Sequence, residues 1–281
     1  LAVEFCLKRG GISVGDLDAV VFYEKPFRKF HRILLSTIAT YPRSYRFFRE
    51  AMNTWLGKKF WMKSVLQAKL GIDLNKIHFI EHHLSHAASA YLPSPYDDAA
   101  ILSVDGVGEW TTTALGHAKT EGGRTRIDLT SEMQFPHSLG FLYSAFTAWL
   151  GFEVNEGEYK VMGMAPYGKP EYLDKVMKVA RLDDDGFVQL DMSYFSHHYH
   201  LEKTYTDKFE RLFGPARDRN DDVDPGSHYA NGASSIQRFT EEAMLKMAKK
   251  LHRDTGSKHL VMAGGVALNS VANYRILQET P

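Results

Sequence analysis

Short apolar runs alternate with longer amphipathic segments along the 281-residue chain. Short runs rich in Val, Ile and aromatic residues are typical of buried strands, whereas apolar positions that recur every third or fourth residue indicate helices. This pattern predicts buried strands at residues 16–24, 76–82 and 258–265. It predicts helices at residues 1–9, 26–70 with a break near Tyr41-Pro42, 83–94, 138–152, 171–181, 233–256 and 266–279. Strands that alternate with helices favour an α/β fold.

The middle of the chain has a different pattern. Residues 97–133 contain apolar runs separated by Asp105–Glu109 and by Gly122-Gly123, which predicts a β-meander. We predict a glycine-punctuated loop at 155–170 and a polar, irregular, substrate-facing segment at 183–228. The helix at 266–279 is expected to start directly from Gly264-Gly265.

Composition limits the function classes. The chain is 44% hydrophobic, and no apolar run approaches the roughly 20 residues that a membrane span needs. With 34 basic and 34 acidic residues, the formal charge is zero, so a nucleic-acid partner is not expected from overall charge. Nearly all charged side chains in residues 25–69, which we call the basic segment, are nevertheless positive, and the segment is rich in aromatic residues. A solvated helix face is the plain interpretation, and a face that binds an anionic ligand or nucleic acid is the alternative. The single cysteine, Cys6, favours a reducing cytoplasm.

Three histidines lie within five positions at the start of an alanine-rich helix. His82 and His86 are four residues apart, so their imidazoles lie on one helical face and can share a metal ion. Asp105 follows another strand, and strand ends are where sites form in such sheets. A His2Asp set with open positions suits Fe(II), Mn(II) or Zn(II). Capping and core packing are the alternative for the pair, and we assign His83 either to packing or to a contact that supports the metal ligands.

Two glycine-containing turns are candidates for anion binding. Asp105-Gly106-Val107-Gly108-Glu109 can bring backbone N–H groups to a phosphate, although Asp-Gly also forms plain hairpin turns. Gly264-Gly265 lies between a strand and a helix, where free N–H groups favour an anion, with close strand–helix packing as the alternative. The predicted loop at 155–170 adds polar groups that suit a ribose or phosphate, or a solvated loop.

Three long segments resemble the nodulation-type and antibiotic-biosynthetic O-carbamoyltransferases: "HHLSHAASAYLPSPYDDAAILSVDGVGEWTTTALGHA", "GEYKVMGMAPYG" and "LVMAGGVALNSVANYRIL". The resemblance runs over essentially the whole chain, in order. The amino-terminal part of that family is similar to the universal tRNA threonylcarbamoyl-transfer protein. The resemblance implies a two-lobed ribonuclease-H-like fold of the actin/Hsp70/sugar-kinase superfamily, with mixed sheets flanked by helices. Residues 1–98 would be a first lobe and residues 99–281 a second lobe.

The resemblance also implies a site. His82, His86 and Asp105 would hold a divalent metal, iron first and zinc or manganese otherwise, that contacts a nucleotide phosphate. ATP or carbamoyladenylate would be bound by Gly106, Gly108, Glu109, Glu158, Lys160, Gly163, Gly264, Gly265 and Asn269. In the family, carbamoyl phosphate and ATP give carbamoyladenylate in a separate carboxy-terminal domain. The carbamoyl group then passes to a hydroxyl of a sugar or secondary metabolite.

The family pattern extends past both ends of the chain. The general base is expected in a hairpin before Leu1, and a further Asp ligand and the adenylate-forming domain are expected after Pro281. We therefore expect the chain alone to have little or no activity. Two other function classes stay open: a tRNA threonylcarbamoyl-transfer-like protein, suggested by the basic segment, and a non-catalytic nucleotide-binding module.

Overall fold

A computed structural model describes residues 2–222 and 224–281, apart from the side chain of Lys58. Leu1, where the predicted first helix begins, and Val223, within the predicted irregular segment, lie outside the described residues. The described chain is an α/β fold, as the sequence pattern predicts, and mixed sheets are flanked by helices, as the family resemblance implies. None of the described helices combines the length and the hydropathy that crossing a bilayer requires.

The chain before Asp98 contains two short strands that pair in parallel. They are β1 (Val20–Phe22) and β2 (Ile77–Phe79). The first four helices of this part are α1 (Ala2–Gly10), α2 (Pro26–Thr40), α3 (Tyr45–Thr54) and α4 (Met62–Leu70), with a π-helical turn at Trp55–Lys59. Pro26 suits the first turn of α2, because its missing N–H would have no partner there. The break between α2 and α3 falls at Tyr41-Pro42, as predicted.

A mixed four-stranded sheet forms the centre of the remaining chain. The strands of this part are β3 (Asp98–Val104), β4 (Thr111–Glu121), β5 (Arg124–Gln134), β6 (Ala180–Leu182), β7 (Val188–Leu190) and β8 (Leu260–Ala263). The order in the large sheet is β5-β4-β3-β8, and β6 and β7 form a separate antiparallel pair. Because β3 is parallel to β8, the residues that follow them, Asp105 and Gly264, lie at the same edge of the sheet.

Seven further helices complete the described chain, and the first of them precedes Asp98. They are α5 (His82–Tyr91), α6 (Leu139–Trp149), α7 (Glu158–Met164), α8 (Leu173–Val179), α9 (Asp207–Phe213), α10 (His228–Thr255) and α11 (Ser270–Glu279). Helix α10 begins where the Ser227 hydroxyl accepts a hydrogen bond from Ala230 N–H, and it ends at Gly256 with φ +66°. It packs in one core with Phe146, Trp149 and Phe209, all fully buried. This core fixes the helices that surround the candidate site.

Two predicted loops contain regular structure. Helix α7 occupies part of the predicted loop at 155–170, because Val161 and Met164 are buried against the core. The predicted irregular segment at 183–228 includes β7 and α9, and Phe209 of α9 is one of the largest fully buried side chains. Apolar anchors of this kind hold the segment on the molecule.

Helix α11 does not start at the two glycines as predicted. Residues Val266–Leu268 first form a 3-10 turn. The Asn269 side chain then caps α11 by accepting a hydrogen bond from Ala272 N–H. Three residues therefore separate the glycines from the cap, and two of them, Val266 and Leu268, line a cleft.

Candidate metal centre and nucleotide cleft

His82, His86 and Asp105 come together as a cluster at the edge of the large sheet. The imidazole Nε2 atoms of His82 and His86 lie 2.9 and 3.2 Å from Asp105 Oδ2. The two rings have centroids 4.5 Å apart, and one ligand atom from each of the three residues lies within 4.8 Å of the others. Helix α5 supplies the histidines one turn apart, and β3 delivers the carboxylate at its end.

The environment keeps Asp105 ionised. Burial by itself would raise the pKa of this carboxyl, but hydrogen bonds from His82 and His86 outweigh burial and hold the pKa well below its ordinary value. Oδ1 accepts hydrogen bonds from Gly106 N–H at 2.8 Å and from Gly265 N–H at 3.3 Å. Asp105 thus joins the histidine pair to the turn that follows β8.

The donor set fits a divalent transition metal. Two imidazole nitrogens and one carboxylate oxygen are ligands that iron, zinc and manganese accept in proteins. His82 Nδ1 is buried and has no hydrogen-bond partner among the described residues. If Nε2 bound the metal, the His82 proton would be on Nδ1, which lacks the hydrogen-bond acceptor that metal-bound histidines usually have. The three residues could hold a metal, and a hydrogen-bond acceptor for His82 Nδ1 would have to come from outside the described residues.

His83 packs beside the cluster. Its Nδ1 lies 2.8 Å from the Ser103 hydroxyl and its Nε2 lies 2.9 Å from the Thr111 carbonyl oxygen. Burial, reinforced by the charge of His82, lowers the pKa of His83 to about 4. A neutral, doubly hydrogen-bonded imidazole fixes α5 on β3 and β4, which agrees with packing, the first of its two assigned roles.

Gly108 and Glu109 support the cluster from the loop between β3 and β4. An added Cβ at Gly108 would lie 2.8 Å from His82 Cβ, so only glycine fits there without movement. The buried Glu109 carboxylate accepts hydrogen bonds from Lys25 N–H at 2.7 Å and from His82 N–H at 3.1 Å. Both residues were predicted to bind the nucleotide, and the structure places both against α5.

A cleft of about 320 Å³ adjoins the cluster, a volume that suits a small-molecule ligand. Five predicted residues line it: Asp105, Gly106, Glu158, Gly265 and Asn269. Sequence reasoning missed its apolar lining, which includes Phe141, Tyr159, Met162 and Leu268. Leu268 is 81% exposed and Tyr159 is 65% exposed, so apolar side chains are presented to solvent at the mouth of the cleft.

Besides Gly108 and Glu109, three more predicted nucleotide-binding residues do not line the cleft. Lys160 and Gly163 are exposed on the other faces of α7. Gly264 has φ +98°, and an added Cβ would collide with the Val104 carbonyl oxygen. Gly264 therefore provides a close contact between the ends of β8 and β3, which is strand–strand packing and not the strand–helix packing given as the alternative, while Gly265 faces the cleft.

The amide of Asn269 is held by a second buried amide. Gln237 Nε2 donates to Asn269 Oδ1 at 3.0 Å, and Asn269 Nδ2 donates to Gln237 Oε1 at 2.9 Å. Tyr143 O–H also donates to Gln237 Oε1. With Oδ1 further engaged by Ala272 N–H, Asn269 retains one N–H for a ligand.

Comparison with known proteins assigns the chain to a family. The carbamoyltransferase N-terminus family matches residues 1–281. This chain belongs to the carbamoyltransferase family. It is 45% identical over 285 residues to an uncharacterized Synechocystis protein, an alignment that covers 99% of this chain and 45% of that protein. It is 26% identical over 284 residues to nodulation protein NolNO of Sinorhizobium fredii, covering 99% of this chain and 37% of the relative.

A third relative is nodulation protein NolO of Bradyrhizobium diazoefficiens, which is 29% identical over 204 residues, or 70% of this chain and 33% of that protein. This chain therefore spans less than half the length of these curated relatives. Its cluster and cleft bring together one carboxylate, two imidazoles and two backbone N–H groups. Asp105 occupies both of these N–H groups, so the positive charge that an anionic ligand needs would have to come from a metal held by the imidazoles and the carboxylate.

Proposed function

We propose that this carbamoyltransferase chain binds carbamoyladenylate in the cleft and passes its carbamoyl group to a hydroxyl of a sugar or secondary metabolite. The observation that carries the proposal is the position of Asp105, which contacts both histidines of the cluster and both glycine turns of the cleft. His82, His86 and Asp105 would hold a divalent metal, iron first and zinc or manganese otherwise. When bound, the metal would neutralise charge on the phosphate oxygens.

The lining of the cleft suggests the orientation of the nucleotide. The turns at Gly106 and Gly265 suit the phosphate, because glycine admits close approach of the backbone. Tyr159, Met162 and Leu268 suit the base, since they form the apolar part of the lining. Glu158 Oε1 accepts hydrogen bonds from Ser144 O–H and Asn155 N–H, which leaves Oε2 for a ribose hydroxyl.

The transfer is a substitution at the carbamoyl carbon. The acceptor oxygen forms a bond to that carbon, and the bond from the carbon to the phosphate oxygen breaks, so AMP leaves with the electron pair. The hydroxyl proton goes to a general base, which the family resemblance expects before Leu1. His83 does not suit that role, because both of its ring nitrogens are engaged in a buried environment.

The architecture that we propose for the whole enzyme follows the family resemblance. Residues 1–98 and 99–281 would be the two lobes of a ribonuclease-H-like fold. A carboxy-terminal domain would make carbamoyladenylate from carbamoyl phosphate and ATP.

Two measurements test the proposal. Calorimetry of the chain with AMP should detect binding, and Gly265→Val should abolish it, because a branched side chain would enter the cleft beside Asp105. The native full-length protein should then form AMP and a carbamoylated product from carbamoyl phosphate, ATP and a panel of hydroxylated acceptors. Absence of both products would sink the enzyme proposal, and nucleotide binding without turnover would instead support the non-catalytic module.

A tRNA-modifying relative is the second candidate. The basic segment favours it, since residues 25–69 contain eleven basic residues and one acidic residue, Glu50. Filter binding of tRNA at increasing salt distinguishes the two candidates. Affinity that falls steeply with salt would support a polyanion contact, and no binding at low salt would remove this candidate.

A further inference from the structure

A second cavity, of about 390 Å³, lies next to the cluster. The cleft uses the beginning of the loop between β3 and β4, Asp105 and Gly106, whereas this cavity uses its end, Glu109 and Trp110. His83 lines the cavity, and its ring centroid lies 5.6 Å from that of His82 and 5.9 Å from that of His86. His83 and Glu109, whose carboxylate accepts a hydrogen bond from His82 N–H, therefore connect this cavity to the cluster.

The charges around the cavity are unequally engaged. Glu81 pairs with Lys25 at 3.2 Å and with Arg28, so the Arg28 guanidinium is already committed. Glu109 is engaged by the backbone N–H groups of Lys25 and His82.

Glu132, on β5, differs from these two carboxylates. Its only described contact is the Thr111 hydroxyl, which donates to Oε2 at 2.7 Å. No Lys or Arg in the described residues lies within ion-pair distance of Glu132. One exposed, uncompensated carboxylate thus opens into the cavity beside Gln134 and the half-buried Trp110.

We propose that this cavity is the subsite for the carbamoyl acceptor, and that Glu132 selects a neutral or cationic polyol over an anionic one. The inference rests on the proposed function and adds the acceptor's charge class. Sugar hydroxyls can donate to the Glu132 carboxylate and accept from the Gln134 amide, while Trp110 offers an apolar surface to a sugar ring. A phosphate or carboxylate on the acceptor would be repelled by Glu132, and Arg28 would not offset this repulsion because it is paired with Glu81.

The test uses the chain with three disaccharides of different charge: cellobiose, the glucosamine dimer and digalacturonate. Dissociation constants are measured by titration and contacts by saturation-transfer NMR. We expect cellobiose and the glucosamine dimer to bind at least about tenfold more tightly than digalacturonate, which is the ratio that one charge-assisted hydrogen bond supplies. No binding of any of the three, or preference for digalacturonate, would overturn the proposal.

Glu132→Gln should weaken binding of the glucosamine dimer by about tenfold and narrow the gap to digalacturonate. Glu121→Gln is the matched control, because Glu121 is an exposed glutamate on the same hairpin, outside the cavity lining. Equal affinities in wild type and Glu132→Gln, with the fold intact by circular dichroism, would contradict the role of Glu132.

AMP titration of the same samples separates the two proposals. Retained AMP binding without disaccharide binding would refute the acceptor subsite alone. If the wild-type chain does not bind AMP, the result would instead contradict the proposal that the cleft binds a nucleotide.

Discussion

The carboxylate of Asp105 has one oxygen in the cluster and the other in the cleft. Oδ2 contacts the two imidazoles, and Oδ1 accepts from the two glycine N–H groups. The lowered pKa of this carboxyl means that the fold stabilises its ionised form. That stabilisation is present above the ordinary pKa of an Asp, near 3.9, and is lost as the pH falls below it.

At this scale we expect His82→Ala or Asp105→Ala to lower the bound iron or zinc at least about tenfold after identical loading, because each removes one of three ligands. Elemental analysis of the purified proteins measures this. His78→Ala is the control, since His78 is exposed on β2 and outside the cluster. Equal metal content in all four proteins would refute the site.

His197 makes stability depend on pH in a different window. Burial lowers its pKa to about 4, and its Nδ1 has no hydrogen-bond partner among the described residues. The unfolded chain takes up this proton near pH 6.5, so the folded state loses stability as the pH falls from about 6.5 to about 4. His197 alone would account for about 3 kcal/mol over that window.

We therefore expect His197→Asn to reduce the loss of unfolding free energy between pH 6.5 and pH 4. The variant will be less stable at pH 7.5, because His197 stacks on Phe141 and donates to the Pro136 carbonyl. Urea unfolding at five pH values measures both effects. Parallel curves for variant and wild type would show that another group controls this window.

At the scale of elements, the loop after β3 is fitted to helix α5 through Gly108. Gly108→Ala should lower the unfolding free energy by about 1–3 kcal/mol and weaken metal retention, because the methyl group would displace His82. Gly106→Ala is the matched control, since its Cβ would lie 3.8 Å from the Phe141 ring, an ordinary contact. If both variants unfold at the same urea concentration as wild type, the close fit has no energetic role.

Helix α7 supports an opposite prediction. Gly163 is exposed in this helix and an added Cβ would meet nothing within 4 Å. Gly163→Ala should raise the unfolding free energy by about 0.5–1 kcal/mol, because alanine loses less backbone entropy than glycine in a helix. AMP affinity should not change, and a loss of affinity would return Gly163 to the nucleotide site.

The sequence predicts some of the site residues and not others. His82, His86 and Asp105 could be placed together because helical spacing and strand ends fix their relative positions. Lys160 could not be excluded while its segment was predicted as a loop. Once it is helical, positions 158, 159 and 162 share the cleft face and Lys160 lies away from it. Gln237 was missed because its partner, Asn269, lies 32 residues away and only packing brings them together.

Over the whole molecule, zero net charge conceals a strong asymmetry. Eleven basic residues and one acidic residue give the basic segment a net charge of +10, so the rest of the chain carries −10. Arg43, Arg49 and Lys63 are exposed and have no ion-pair partner among the described residues. Exposed Tyr41, Tyr45 and Trp61 lie in the same segment.

We expect the protein to bind a heparin column at pH 7.4 and low salt although its calculated isoelectric point is about 7.4. Replacing Arg43, Arg49 and Lys63 by Glu should shift elution to lower salt. Replacing three arginines or lysines outside the segment, Arg124, Arg126 and Lys178, is the control and should have a smaller effect. Equal shifts would mean that retention depends on total charge alone.

The β4–β5 hairpin ends in Gly122 and Gly123, with φ +56° and +75°, and a side chain added at either would meet nothing within 4 Å. Both residues are exposed, and neither borders the cleft or the second cavity. A sequence inserted at such a tip starts and ends at neighbouring positions, so the hydrogen bonds between β4 and β5 can stay intact. The hairpin tip is therefore a position at which a fluorescent reporter or an affinity tag can be inserted while the cleft and the second cavity stay free.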